Sequence, residues 1–122
     1  MELNKITEKI IGCGIAVHRE LGAGLLESIY ESALCIELNN HGLKYEKQKA
    51  LPVEYKGCKI GEFRIDLLVE ESVVVELKSV ERFDPVFEAQ ILSYMKLGKY
   101  KIGLLMNFNS KLLKNGIKRY IL

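Results

Sequence analysis

Asp66, Glu76 and Lys78 are the residues of this chain whose types and spacing could do chemistry. Glu76 and Lys78 sit inside the apolar stretch 72-SVVVELKSV-80, and Asp66 sits inside the equally apolar 63-FRIDLLV-69. In an extended strand residues i and i+2 share a face. Val74, Glu76 and Lys78 therefore lie on one side, and Val73, Val75, Leu77 and Ser79 on the other. Apolar residues on both sides indicate a central strand covered on both faces, where a charge is costly unless it is paired or holds a metal. If 70-EES-72 is a three-residue loop, Val69 faces Val73 and Asp66 lies opposite Glu76 on the same face; a two-residue loop would separate them. The three-residue register is the expectation adopted. Two carboxylates side by side repel, and a divalent cation such as Mg²⁺ removes that repulsion while also binding substrate phosphate. Lys78 beside them could orient or activate an attacking water, or neutralise charge building on phosphorus-bound oxygens. The chemistry indicated is metal-dependent phosphodiester cleavage. One other arrangement stays open: Glu76 and Lys78 as solvent-facing residues of an edge strand, with Asp66 paired to Arg64 or Lys78.

The elements that must position these groups follow from pattern. Apolar residues at Ile6, Ile10, Ile11, Cys13, Gly14, Val17 and Leu21 have helical spacing and predict a helix over about 3–21. Gly22 and Gly24 break it. A second helix is predicted over about 25–40, burying Ile29, Ala33, Leu34, Ile36 and Leu38, and ending at Asn40-His41-Gly42. Strands are predicted near 50–56, 59–69 and 73–80, with a tight link at Lys56-Gly57. Asp84 as N-cap and Pro85 at the first helical position open a helix that stops at Gly98. Strands at 100–108 and 117–122 complete an order α-α-β-β-β-α-β-β. That order implies an α/β or α+β fold with a mixed sheet in a single domain spanning 1–122.

Composition is that of an ordinary globular chain, with 48% hydrophobic and 28% charged residues. No apolar run approaches the roughly 20 residues that span a bilayer. The N-terminal stretch is mixed in charge and has no signal-peptide pattern, so a cytoplasmic location and no membrane partner are expected. Cys13, Cys35 and Cys58 are widely spaced and form no CxxC pair, which leaves out a zinc ribbon or a redox motif. The charge is unevenly spread. Residues 89–122 hold seven bases and no acid, whereas residues 1–88 hold eleven bases and sixteen acids. An acidic part able to hold cations, joined to a basic part able to hold phosphates, suits a nucleic-acid enzyme. Lys99, Lys101, Lys118 and Arg119 are the expected phosphate contacts.

The constellation Asp66, Glu76, Lys78 resembles the D…ExK signature of the PD-(D/E)xK nuclease superfamily. The chain also looks like a member of the GxxExxY group within it. The name-giving motif reads 24-GLLESIY-30, and further matches are 53-VEYKG-57, 64-RIDLLVE-70, 75-VELKSV-80, 88-EAQILSYMK-96, 103-GLLMNF-108 and 116-GIKRYIL-122. The resemblance covers nearly the whole chain. It implies a restriction-endonuclease-like αβββαβ core with a mixed central sheet flanked by helices, plus an extra N-terminal helix. It implies Asp66 and Glu76 as metal ligands, Glu27 as a further acidic ligand, and Lys78 as the catalytic lysine. Gln90 and Tyr94 match a QxxxY pair, four apart on one helical face, that supports substrate or the lysine. The implied cofactor is Mg²⁺ or Mn²⁺, and the implied partner is nucleic acid, DNA in preference to RNA, with a homodimer as one route to specificity. In this chain Ile65 stands where the family pattern has Pro, and Phe87 where it has His. Tyr30 is expected to pack its helix on the sheet, and His18 to serve packing. Gln48 fits a family position without an assigned chemistry. The alternatives are a binding module that keeps the fold without cutting, and a hydrolase of small phosphoesters.

Overall fold

The structure, a computed structural model, describes residues 2–122. Two helices lead: α1, Leu3–Leu21, and α2, Glu27–Asn40. Three strands follow, β1 (Tyr45–Tyr55), β2 (Cys58–Val69) and β3 (Val73–Lys78). Then come α3 (Pro85–Gly98), β4 (Ile102–Asn107), a 3-10 turn at Leu113–Gly116, and β5 (Ile117–Ile121). The predicted element order holds. The strands form one sheet in the order β1-β2-β3-β4-β5. Only β3 and β4 are parallel, joined by the crossover through α3; every other pair is antiparallel. This is a mixed sheet with helices on both faces, consistent with the restriction-endonuclease-like architecture.

Local chemistry sets the register. Tyr55 pairs with Cys58 across Lys56 and Gly57, which both take positive φ (49° and 81°), the geometry of a two-residue hairpin matched to strand twist. Val69 pairs with Val73 across the three residues 70–72, as the favoured register requires. Glu70 and Glu71 accept φ of 52° and 55°, and Ser72 N–H donates to Val69 O. Asp84 caps α3 by accepting from Val86 N–H at 2.9 Å, with Pro85 first in the helix.

The sheet divides two cores. On one face Ile6, Ile10, Cys13 and Val17 of α1 and Tyr30, Leu34 and Leu38 of α2 pack on Leu67, Val75, Leu77, Leu104 and Met106. On the other, Ile91, Tyr94 and Met95 of α3 pack on Ile65, Leu68, Val74 and Leu105. A Cβ on Gly103 would lie 2.7 Å from Met95 Sδ, so glycine lets α3 ride close on β4. Cys13 and Cys35 are buried and unbridged.

Two expectations need correction. Ile29 and Ile36 are 49% and 62% exposed, not buried. The stripe that meets the sheet is Tyr30, Leu34 and Leu38, and Ile29 and Ile36 fall off its flank. Strand β1 begins at Tyr45, five residues before the predicted start. An edge strand needs few apolar residues, so the polar run YEKQK carried no strand signal. No helix is long and apolar enough to cross a membrane.

Candidate active site

Strands β2 and β3 part company at Asp66. Their backbone ladder runs Val69↔Val73, Leu68↔Val74, Leu67↔Val75 and then ends. Beyond it side chains take over. Asp66 N–H donates to Glu76 Oε2 at 2.8 Å, and Leu77 N–H donates to Asp66 Oδ2 at 2.9 Å. Each carboxylate thus satisfies a backbone donor that strand pairing would otherwise use. The two acids meet at a fork in the sheet, but not as directly opposed residues of one face: the ladder ends at Leu67↔Val75, and Asp66 lines a cavity on the α2 side together with Leu77.

Their electrostatics differ. Glu76 is 5% exposed, and burial first, then the Asp66 carboxylate beside it, pushes its carboxyl up to about 9. The Asp66 N–H and the Lys78 charge pull the other way without prevailing. Tyr94 lies within reach of the same field: burial chiefly, then Glu76 and Asp66, raise its phenol above the ordinary value. Its ring also tilts against Phe63, with centroids 5.1 Å apart.

Lys78 is half-buried at the end of β3. Its ammonium sits over the Phe87 ring, 4.4 Å from the centroid, and among the described residues it makes no salt bridge. Its main chain is pinned from β4. Phe108 N–H donates to Lys78 O at 2.8 Å, and the buried Asn107 amide accepts from Val80 N–H and donates to Val80 O. Gln90 is exposed on α3, one turn from Tyr94, and makes no hydrogen bond among the described residues.

On the side of α2, a cavity of about 130 Å³ is lined by Glu27, Ser28, Glu31, Gln48, Asp66 and Leu77. Glu27 is exposed in the first turn of α2. Tyr30 places it: the Tyr30 hydroxyl donates to Gly22 O and accepts from Leu25 N–H, while its ring stacks on Phe108 at 4.4 Å. Gly24, at φ +93°, supplies the turn. The motif residues Gly24 and Tyr30 therefore fix the loop that delivers Glu27. Gln48 donates to Glu31 Oε1 at 2.8 Å and to Asp66 Oδ1 at 3.3 Å. Its own φ of 49° interrupts β1 opposite Asp66. Glu31 was not foreseen, although it stands four residues after Glu27 on the same helical face. No group of three His, Cys, Asp or Glu side chains among the described residues is clustered to hold a metal ion.

The predicted phosphate contacts do not gather. Lys99 and Lys101 precede β4, at the end of the sheet where Val73 pairs with Ile102, whereas Lys78 pairs with Asn107 at the other end. Five residues of strand put roughly 16 Å between those ends. Arg119 pairs with Leu104, on the α1 face, and hydrogen-bonds Asn4. Lys118 pairs with Leu105 on the α3 face, where Glu88 holds it at 3.3 Å and Phe83 lies beneath it. His18 donates from Nε2 to Ser110 O at 2.8 Å, a packing contact.

Residues 4–120 match the PD-(D/E)XK nuclease superfamily. The chain belongs to that superfamily. No curated protein matches it. No solved structure matches it either. Membership in the superfamily fits the αβββαβ core and points to nucleic acid as the substrate class.

Proposed function

We propose that this superfamily member is a divalent-metal-dependent nuclease of the GxxExxY group, cutting phosphodiester bonds in nucleic acid, DNA in preference to RNA. The observation that carries this reading is the reciprocal bonding of Asp66 and Glu76 at the fork. A buried carboxyl pushed up to about 9 beside a second carboxylate lacks positive charge. Mg²⁺ or Mn²⁺ fits that donor set, being oxygen-seeking and content with one or two carboxylates plus water. Asp66 and Glu76 would hold it, with Glu27 or Glu31 reaching from α2. The cation supplies Lewis-acid stabilisation of charge developing on the scissile phosphate.

The chain's own groups do the rest. Lys78, held over Phe87, presents an ammonium to the phosphate oxygens and to the attacking water. Gln48 keeps the Asp66 carboxylate aimed by donating to its outer oxygen. Tyr94, near both acids, and Gln90 one turn away offer a phenol and an amide to a substrate lying along α3. Lys118, on the same face of the sheet as Glu76, is the one predicted phosphate contact on that side.

A second reading, a non-catalytic module binding nucleic acid or protein, is favoured by the lack of a three-ligand cluster among the described residues. Incubation with single- and double-stranded DNA and RNA, with Mg²⁺ or Mn²⁺ against EDTA, separates the two. The nuclease reading expects metal-dependent cleavage that falls by about 10²–10³-fold in Lys78→Ala. Binding without cleavage in every form and metal supports the module.

A further inference from the structure

We propose that the cavity between the C-terminal end of α1 and the 108–116 segment is a phosphate-backbone site that holds the nucleic-acid strand beside the scissile position. The proposal rests on the nuclease reading and deepens it. This cavity, about 530 Å³, is lined by His18, Arg19, Gly22, Lys111, Leu112 and Lys114 among others, and no acidic side chain lines it. Arg19, Lys111 and Lys114 are exposed, and none makes a salt bridge among the described residues. Lys118 and Arg119, by contrast, are already engaged by Glu88 and Asn4.

Two segments that line it, 22–27 and 108–114, lead to the candidate active site. Gly22 begins the loop that the Tyr30 hydroxyl holds and that ends at Glu27. Leu25 O in that loop accepts from Ser79 Oγ at 2.6 Å, one residue beyond Lys78. Ser110, bound to His18, follows Phe108, whose N–H holds Lys78 O. The cavity therefore opens at the Lys78 end of the sheet. Electrostatics demand such a neighbour. Glu27, Glu31 and Asp66 make the cutting centre acidic, and an acidic centre repels a polyanion. Cations on an adjoining wall supply the attraction, and each phosphate neutralised releases counterions. The apolar lining residues Ile15, Leu112 and Leu113 would accept sugar and base surface.

The test uses the full chain carrying Lys78→Ala, so that substrate survives, with fluorescently labelled DNA and RNA titrated at several salt concentrations. Arg19→Glu/Lys111→Glu/Lys114→Glu added to that parent should weaken binding about tenfold or more and lower the slope of log Kd against log salt by about 2–3. Lys99→Glu/Lys101→Glu, at the opposite end of the sheet, should stay within twofold of the parent. A triple variant within twofold of the parent, or equal weakening by both sets, overturns the proposal and leaves the nuclease reading standing. A parent that binds no nucleic acid, with a wild type that cuts none, overturns both. Should the triple charge reversal fail to fold, Arg19→Gln/Lys111→Gln/Lys114→Gln reads the same slope.

Discussion

The two ends of the parallel β3–β4 pair are built from opposite materials. At the Val73–Ile102 end the neighbouring residues Val73, Val74, Val75, Ile102 and Leu104 are buried hydrocarbon, and the ladder to β2 is unbroken. At the Lys78–Asn107 end the ladder to β2 has stopped, and Asp66, Glu76 and Asn107 bond backbone groups that strands normally satisfy. The second end is no less buried, with Leu77, Leu105 and Met106 around it, but it also holds polar groups that oppose folding.

The sharpest way to break this comparison is at the dry end. Leu104→Ala, at a fully buried position beside β3, should cost about 2–5 kcal/mol in chemical denaturation. Cleavage per folded molecule should not change. A small stability loss with a large loss of cleavage would show that the two ends are not separable.

The carboxylate end should respond with the opposite sign. Glu76 keeps its proton up to about 9 in the folded chain, whereas an unfolded glutamate loses it near 4.5. Below the lower value both states are protonated. Between the two the folded state binds more protons, so metal-free stability falls as pH rises through that window. Melting temperatures taken from about pH 5 to 9 without divalent ions should decline by several degrees. Glu76→Gln should flatten the decline and raise the melting temperature at neutral pH, while abolishing cleavage. A flat profile in the wild type would place Glu76 in a well-solvated setting.

The smallest effect is expected at Phe87. A cation over an aromatic ring is worth about 0.5–1 kcal/mol when partly solvated. Phe87→Leu should therefore lower turnover about 2–5-fold at unchanged KM, with Phe87→Tyr restoring it. Equal turnover in all three chains would make the ring mere packing.

Much of this site was legible in the sequence because local rules governed it. The turn at 70–72 and the apolar residues on both faces of β3 set the register that brings Asp66 to Glu76. Asp84-Pro85 announced α3. What stayed hidden depends on tertiary placement. Gln48 reaches Glu31 and Asp66 because β1 is interrupted by a left-handed residue, which the polar run around it does not reveal. Lys99 and Lys101 belong to a basic stretch of sequence, but a parallel strand carries them to the far end of the sheet. Arg19 and Lys114 are distant in the chain and meet only because α1 packs beside the 3-10 turn.

The exchange between Asp66 and Glu76 also makes these two acids rivets that fasten two diverging strands. A rivet needs only an acceptor oxygen, which an amide side chain keeps and a methyl group lacks. Asp66→Asn and Glu76→Gln should silence the chain with the seam closed, whereas alanine at either place unfastens it and leaves a main-chain donor bare.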